Sequence, residues 1–248
     1  MVQAGKFIEA ETLLRETLAI RKQRSGEDHP DIATTLATLG RLLCLENKFS
    51  EAEPLVREAL AMRRKLFGSE HPAVAGSLNT LGGLLETQRK LSDAETAYRE
   101  ALAIRRKRFG NDHPDVASSL ATLGHLLGAE NQPAEAESLL HECLDVRQKK
   151  LPDDWLTFNT QSLLGGSLFA QKKYAEAEPL LLAGYQGMKA REEKIAGDSK
   201  VRVKEALHRL VQLYDETGRA DRATELSTAC HQSRRIAPSP GRKRLSSF

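Results

Sequence analysis

Three histidines recur at one interval, each followed by proline: His29-Pro30, His71-Pro72 and His113-Pro114. Imidazole carries protons and binds metals, so a periodic set raises both chemistries. A metal needs ligands that converge on one point. Residues separated by 71 − 29 = 42 and 113 − 71 = 42 positions instead fall on successive structural repeats. The other reading is a turn residue at a helix start, with proline in the first turn, where its missing N–H would be unpaired anyway. That reading is preferred. His141 and Cys143 are two apart on a helix and point to different faces. Cys44, Cys143 and Cys230 form no CxxC pair, which fits a reducing, cytoplasmic setting and no metal site. The sequence has no GxxxxGK[ST] loop, no GxSxG elbow and no HRD or DFG signature. No catalytic constellation emerges and no cofactor is called for, so the chain is read as a non-enzyme.

Four basic clusters follow the same period: Arg21-Lys22-Gln23-Arg24, Arg63-Arg64-Lys65, Arg105-Arg106-Lys107-Arg108 and Arg147-Gln148-Lys149-Lys150. Stacking would align them in a ridge. Cations at helix C-termini complement the macrodipole, which explains the clusters without a ligand. A surface for an anionic partner is the competing reading, and the salt dependence of binding separates the two.

The elements that carry these residues are helical. Of the 248 residues, 40% are hydrophobic and 29% charged, with only 5% aromatic. This is an ordered chain rich in Ala and Leu, suited to closely packed helices. A net charge of +3 does not argue for nucleic acid. No apolar run reaches the ~18 residues of a membrane span. Met1 to Ala10 is not a secretory signal.

The 42-residue period also holds Glu9-Ala10-Glu11, Glu51-Ala52-Glu53, Asp93-Ala94-Glu95 and Glu135-Ala136-Glu137. Each repeat predicts two helices. The first follows His-Pro and in the second full repeat buries Leu78, Leu81, Gly82 and Leu85. A short Lys-, Asn- or Gln-rich turn comes next. The second helix is expected to open on a capping box, Ser50 to Glu53 or Ser92 to Glu95, and to stop at Gly68 or Gly110. Such a pair cannot bury its apolar face alone, so neighbours must stack.

The pattern Leu78-x-x-Leu81-Gly82-x-x-Leu85 with Ala94, Tyr98 and Ala101 resembles the tetratricopeptide repeat consensus. Leu36, Leu39, Gly40, Leu43, Ala52, Val56 and Ala59 repeat it, as do Leu120, Leu123, Gly124, Leu127, Ala136, Leu140 and Cys143. The period exceeds the family's usual ~34, which is similar to kinesin light chains and bacterial multi-repeat proteins. The stretch from Leu151 through Gly166, with Leu210 to Tyr214, resembles the ends of large bacterial proteins, some with an upstream serine/threonine kinase domain. The resemblance implies an all-α, right-handed solenoid of stacked antiparallel helix pairs over residues 1–235. An incomplete repeat (1–24) precedes units at about 29–68, 71–110, 113–150, 155–194 and 200–235, and a basic, disordered tail fills 236–248. Gly5-Lys6-Phe7 is expected to be an inter-helix turn, leaving the following helix with an uncovered apolar side: a fragment, a truncated product or a docking face.

Carried over by position, the family's concave groove falls on Ala37 and Arg41, Asn79 and Gly83, Ala121 and His125, Ser162 and Gly166, and His208 and Gln212. Thr38, Thr80 and Thr122 lie beside them and Glu86 one turn on. Asn79 could pair with both the N–H and the C=O of a peptide. Thr80 stands where many relatives have a companion Asn, and the two-Lys carboxylate clamp of chaperone-binding relatives is missing. The alternative is that these are ordinary solvent-facing positions. The resemblance implies a scaffold for a protein or peptide partner, within a bacterial signalling protein, with no nucleic acid or membrane. The competing function is an oligomerisation module that self-associates through the N-terminal helix.

Overall fold

A computed structural model describes residues 2–226. The tail 236–248, the end of the last predicted repeat and Cys230 lie outside them. The described residues contain helices and no strand. The chain divides into two compact units, Met1–Pro152 and Asp153–Phe248.

In the N-terminal unit, α1 (Val2–Ser25) precedes three pairs: α2 (Pro30–Leu45) with α3 (Phe49–Phe67), α4 (Pro72–Thr87) with α5 (Leu91–Phe109), and α6 (Pro114–Ala129) with α7 (Pro133–Lys150). Within each pair a glycine takes a bulky side chain from the partner helix. A Cβ at Gly40 would lie 2.6 Å from Val56, at Gly82 2.5 Å from Tyr98, and at Gly124 2.8 Å from Leu140. Leu36, Leu39 and Leu43 are fully buried around the first contact. Each such side chain contributes about 1.5–3 kcal/mol. Pairs then stack through α3 on α4 and α5 on α6.

The histidines cap the first helix of each pair. Nδ1 of His29, His71 and His113 accepts the backbone N–H of Asp31, Ala73 and Asp115 at 3.2, 3.1 and 3.1 Å. His71 and His113 also stack on Phe67 and Phe109. Gly68 and Gly110 end α3 and α5 at φ of +81° and +76°, a region open to glycine.

The expected capping boxes do not form. α3 and α5 begin at Phe49 and Leu91, so Ser50 and Ser92 lie inside the first turn, and the preceding Lys48 and Lys90 make no side-chain cap. The turn sets this phase. Asn47 and Arg89 adopt φ near +60°, and Lys48 and Lys90 donate back to Leu43 and Leu85 carbonyls at 2.9 Å. The glutamates pair forward instead, Glu53 with Arg57 and Glu95 with Arg99. Gly5-Lys6-Phe7 is helical and not a turn. At the equivalent place in later repeats Asn47, Arg89 and Asn131 turn the chain with φ near +60°, whereas the backbone at Gly5 stays helical and α1 runs through it.

Pairings that recur from repeat to repeat tie neighbours together. Arg21, Arg63 and Arg105 reach the next pair's first turn, donating to the carbonyls of Asp31, Ala73 and Asp115 and to the hydroxyls of Thr35, Ser77 and Ser119. Along the second helices, Lys22 pairs with Glu58, Arg64 with Glu100 and Arg106 with Glu142. Much of the basic ridge is therefore neutralised internally.

The C-terminal unit contains α8 (Trp155–Ala170), α9 (Tyr174–Lys189), two short 3-10 turns, α10 (Val201–Glu216) and a helical stretch over 220–226. Asp154 replaces the histidine cap, its Oδ1 accepting from Leu156 N–H at 2.8 Å. Gly165 faces Leu181, and Gly184 lies against the α8 backbone at Ser162 and Phe158.

Candidate partner-binding groove

The groove positions of the N-terminal unit lie on α2, α4 and α6, whose starts are fixed by the histidine caps and whose depth is set by the glycine contacts. Arg41 is exposed and has no ion pair among the described residues. One helix on, Gly83 leaves the wall open, since a Cβ there would meet only the Tyr98 hydroxyl, at 3.5 Å. Below it Glu86 is a meeting point for three helices. Its carboxylate accepts a hydrogen bond from Tyr98 of α5 at 3.0 Å and lies 3.5 Å from Nδ1 of His125 of α6. Glu86 and His125 are both half-buried.

Asn79 differs from its expected role. With its amide turned to present oxygen, it accepts from Arg105 Nη1 at 2.7 Å and Nη2 at 3.2 Å. Both oxygen lone pairs are then engaged, so only the NH2 group remains for a peptide carbonyl. Burial pushes the pKa of Arg105 below its ordinary value, with Asp115 opposing the shift, yet guanidinium stays charged. Thr38, Thr80 and Thr122 donate back to the carbonyls of Thr34, Gly76 and Ser118 at 2.8, 3.1 and 3.0 Å. Their hydroxyls offer acceptors rather than free donors.

In the C-terminal unit, His208 and Gln212 are exposed on α10. Ser162 and Gly166 are not open as expected. Ser162 is fully buried and its hydroxyl accepts from Arg209 Nη1 at 3.1 Å. The Arg209 chain lies against Gly166, 3.0 Å from where a Cβ would be. The long side chain fills the space the small residues leave.

Two features escaped the sequence reading. Nothing linked Glu86 to His125 and Tyr98. The arginines of the basic clusters were not connected to a target, although Arg21, Arg63 and Arg105 each precede a Thr or Ser by 14 residues.

The tetratricopeptide repeat family matches residues 2–65, 51–107 and 73–149. The chain belongs to the tetratricopeptide repeat family. Proteins of this family generally act as protein–protein interaction scaffolds. Three solved structures share its all-α solenoid of paired helices. A Podosopora anserina putative kinesin light chain with nearly identical TPR-like repeats is 22% identical, with a TM-score of 0.68 over 86% of this chain and 100% of that one. BtubC (BKLC) from P. vanneervenii is 18% identical, with a TM-score of 0.71 over 98% and 96%. A Pyrococcus horikoshii signal transduction ATPase with a tetratricopeptide repeat sensor is 15% identical, with a TM-score of 0.73 over 96% of this chain and 35% of that one. No curated protein matches the sequence. Among the described residues no helix is long and apolar enough to cross a membrane, and no three His, Cys, Asp or Glu side chains cluster to hold a metal.

Proposed function

We propose that the N-terminal unit holds a peptide segment of a partner protein along α2, α4 and α6. The observation that carries this reading is the meeting of Tyr98, Glu86 and His125 beside the open wall at Gly83. Polar groups from three helices there flank a strip with little side-chain bulk. Arg41 and the Asn79 amide supply donors for peptide carbonyls, and Glu86 supplies an acceptor for an N–H or a cation. Gln212 on α10 is a separate contact point of the C-terminal unit. The Pyrococcus horikoshii signal transduction ATPase uses its tetratricopeptide repeats as a sensor, which supports placing this chain in a signalling protein. Cys44 and Cys143, which form no disulfide, suit a cytoplasmic setting.

The test is affinity capture with wild type, Arg41→Ala/Asn79→Ala, Glu86→Gln and the distant control Arg99→Ala. Partners held by the wild type and the control should be lost from the groove variants. Equal retention by all four proteins refutes the assignment.

A second reading rests on α1. Ile20 is 54% exposed, whereas its repeat equivalents Met62, Ile104 and Val146 are 7%, 7% and 3% exposed. Leu13, two turns earlier on the same side of α1, is also exposed. This face would support self-association. Mass across a dilution series, with Ile20→Glu as the disrupting variant, distinguishes a dimer from a monomeric peptide binder.

A further inference from the structure

A second surface lies at the junctions between helix pairs. At the α3–α4 junction a cleft of about 360 Å³ is lined by Phe67, Glu70, His71, Pro72, Lys107 and Arg108. Its apolar wall is unusual for so exposed a place. Phe67 remains 39% exposed although its ring stacks on His71, with centroids 4.6 Å apart. Cap formation fixes the imidazole chemistry. His71 Nδ1 accepts the Ala73 N–H, so the ring proton sits on Nε2 and points a donor away from the helix. Lys107 is paired with Glu70, and Arg108 is exposed with no ion pair among the described residues. The cleft therefore combines an aromatic face, a free guanidinium and an imidazole donor, with one net positive charge from Glu70, Lys107 and Arg108.

The next junction repeats the set. Phe109 stacks on His113 at 4.4 Å and is 37% exposed. Asp112 takes the place of Glu70, and Lys149 and Lys150 take those of Lys107 and Arg108; both lysines are exposed without ion pairs among the described residues. The first junction of the chain is an internal control. There Ser25 replaces the phenylalanine, and Leu66 replaces the second cation and packs on the apolar core. A helix C-terminus alone needs neither the exposed aromatic nor the second cation, as that junction shows.

We propose that the α3–α4 and α5–α6 junctions form a docking surface, separate from the groove, for an acidic peptide segment with aromatic or aliphatic side chains beside its carboxylates. Carboxylates would meet Arg108, Lys149 and Lys150, and apolar side chains would lie on the Phe–His stacks. Nucleic acid fits less well. The net charge is only +3, and Glu70 and Asp112 place an anion at each junction.

The test uses the full chain and three fluorescein-labelled probes: a peptide of alternating glutamate and phenylalanine, polyglutamate, and oligothymidylate. Binding is read by anisotropy at low and moderate salt. The mixed peptide should bind most tightly and weaken with salt. Arg108→Glu/Lys150→Glu should reduce its affinity about tenfold or more, a loss of at least about 1.4 kcal/mol. Phe67→Ala/Phe109→Ala should reduce it while sparing the weaker binding of polyglutamate. Arg41→Ala/Asn79→Ala should leave it unchanged, which separates this surface from the groove. Circular dichroism checks that each variant folds. Absence of binding, loss only in the groove variant, equal affinity for polyglutamate, or equal affinity for oligothymidylate overturns the proposal.

Discussion

Replacing Gly184 by alanine tests the packing argument where it is sharpest. A Cβ at this position would lie 2.6 Å from the backbone nitrogen of Ser162 and 2.8 Å from the carbonyl oxygen of Phe158. Backbone inside α8 cannot rotate away as a side chain can, so α8 and α9 must separate. Overpacking of this kind costs about 1–3 kcal/mol, and contact with backbone on two sides puts it near the upper end. Helix propensity returns about 1 kcal/mol on exchanging glycine for alanine. The net loss is then about 2 kcal/mol. With a urea slope of about 2 kcal/mol/M, the midpoint should fall by about 1 M. Trp155 is the only tryptophan and opens α8, so its fluorescence reports this pair of helices. Gly76→Ala is the matched control, since a Cβ there meets nothing within 4 Å. It should stabilise by up to about 1 kcal/mol, seen in the circular dichroism transition. The reasoning is refuted if Gly184→Ala leaves the Trp155 midpoint within about 0.2 M of wild type.

Three further outcomes follow from contacts described above. Hydrogen bonds from Lys48 and Arg15 hold the Glu11 carboxyl down at about 2, against about 4.3 for an unfolded chain. Because the folded value is the lower one, this stabilisation is complete above about pH 5 and disappears as pH falls toward 2. Hydrogen exchange in α1 should rise over that range relative to the rest of the chain, and Glu11→Gln should flatten the change. Arg89 and Lys172 hold φ near +60°; Arg89→Gly and Lys172→Gly should each stabilise by about 1 kcal/mol, read as a higher melting temperature. Arg105→Met removes the donor to Ser119, which is 1% exposed; leaving that hydroxyl unmatched should cost about 1–3 kcal/mol in chemical denaturation.

The paired-helix fold was legible because its determinants are local and repeated. Gly40, Gly82 and Gly124 announce close approach, and Val56, Tyr98 and Leu140 fill the space opposite them. The helix stops at Gly68 and Gly110 were equally readable, since glycine there answers a positive φ. The second helix starts were not. A serine with a glutamate three residues on signals a capping box, but the backbone bond from Lys48 to Leu43 fixes the turn first. The groove was legible by position and not by chemistry. Asn79 could be placed on α4, yet no spacing rule reveals that Arg105 from another helix occupies its oxygen. Ser162 shows the same limit, because a small polar residue reads as open until Arg209 is seen lying across it. Long flexible side chains decide these outcomes, and their reach crosses repeats.

The joint made by Arg63 with Ala73 and Ser77 has the same chemistry as the one made by Arg105 with Asp115 and Ser119. A deletion of residues 73–114 would join Pro72 to Asp115 and set Arg63 opposite Ser119. His71 would then cap the amide of Asp115, as His29 caps Asp31. Gene-level gain or loss of one block thus presents evolution with no new interface to solve, and array length becomes an adjustable dimension, set by how much of a partner must be spanned.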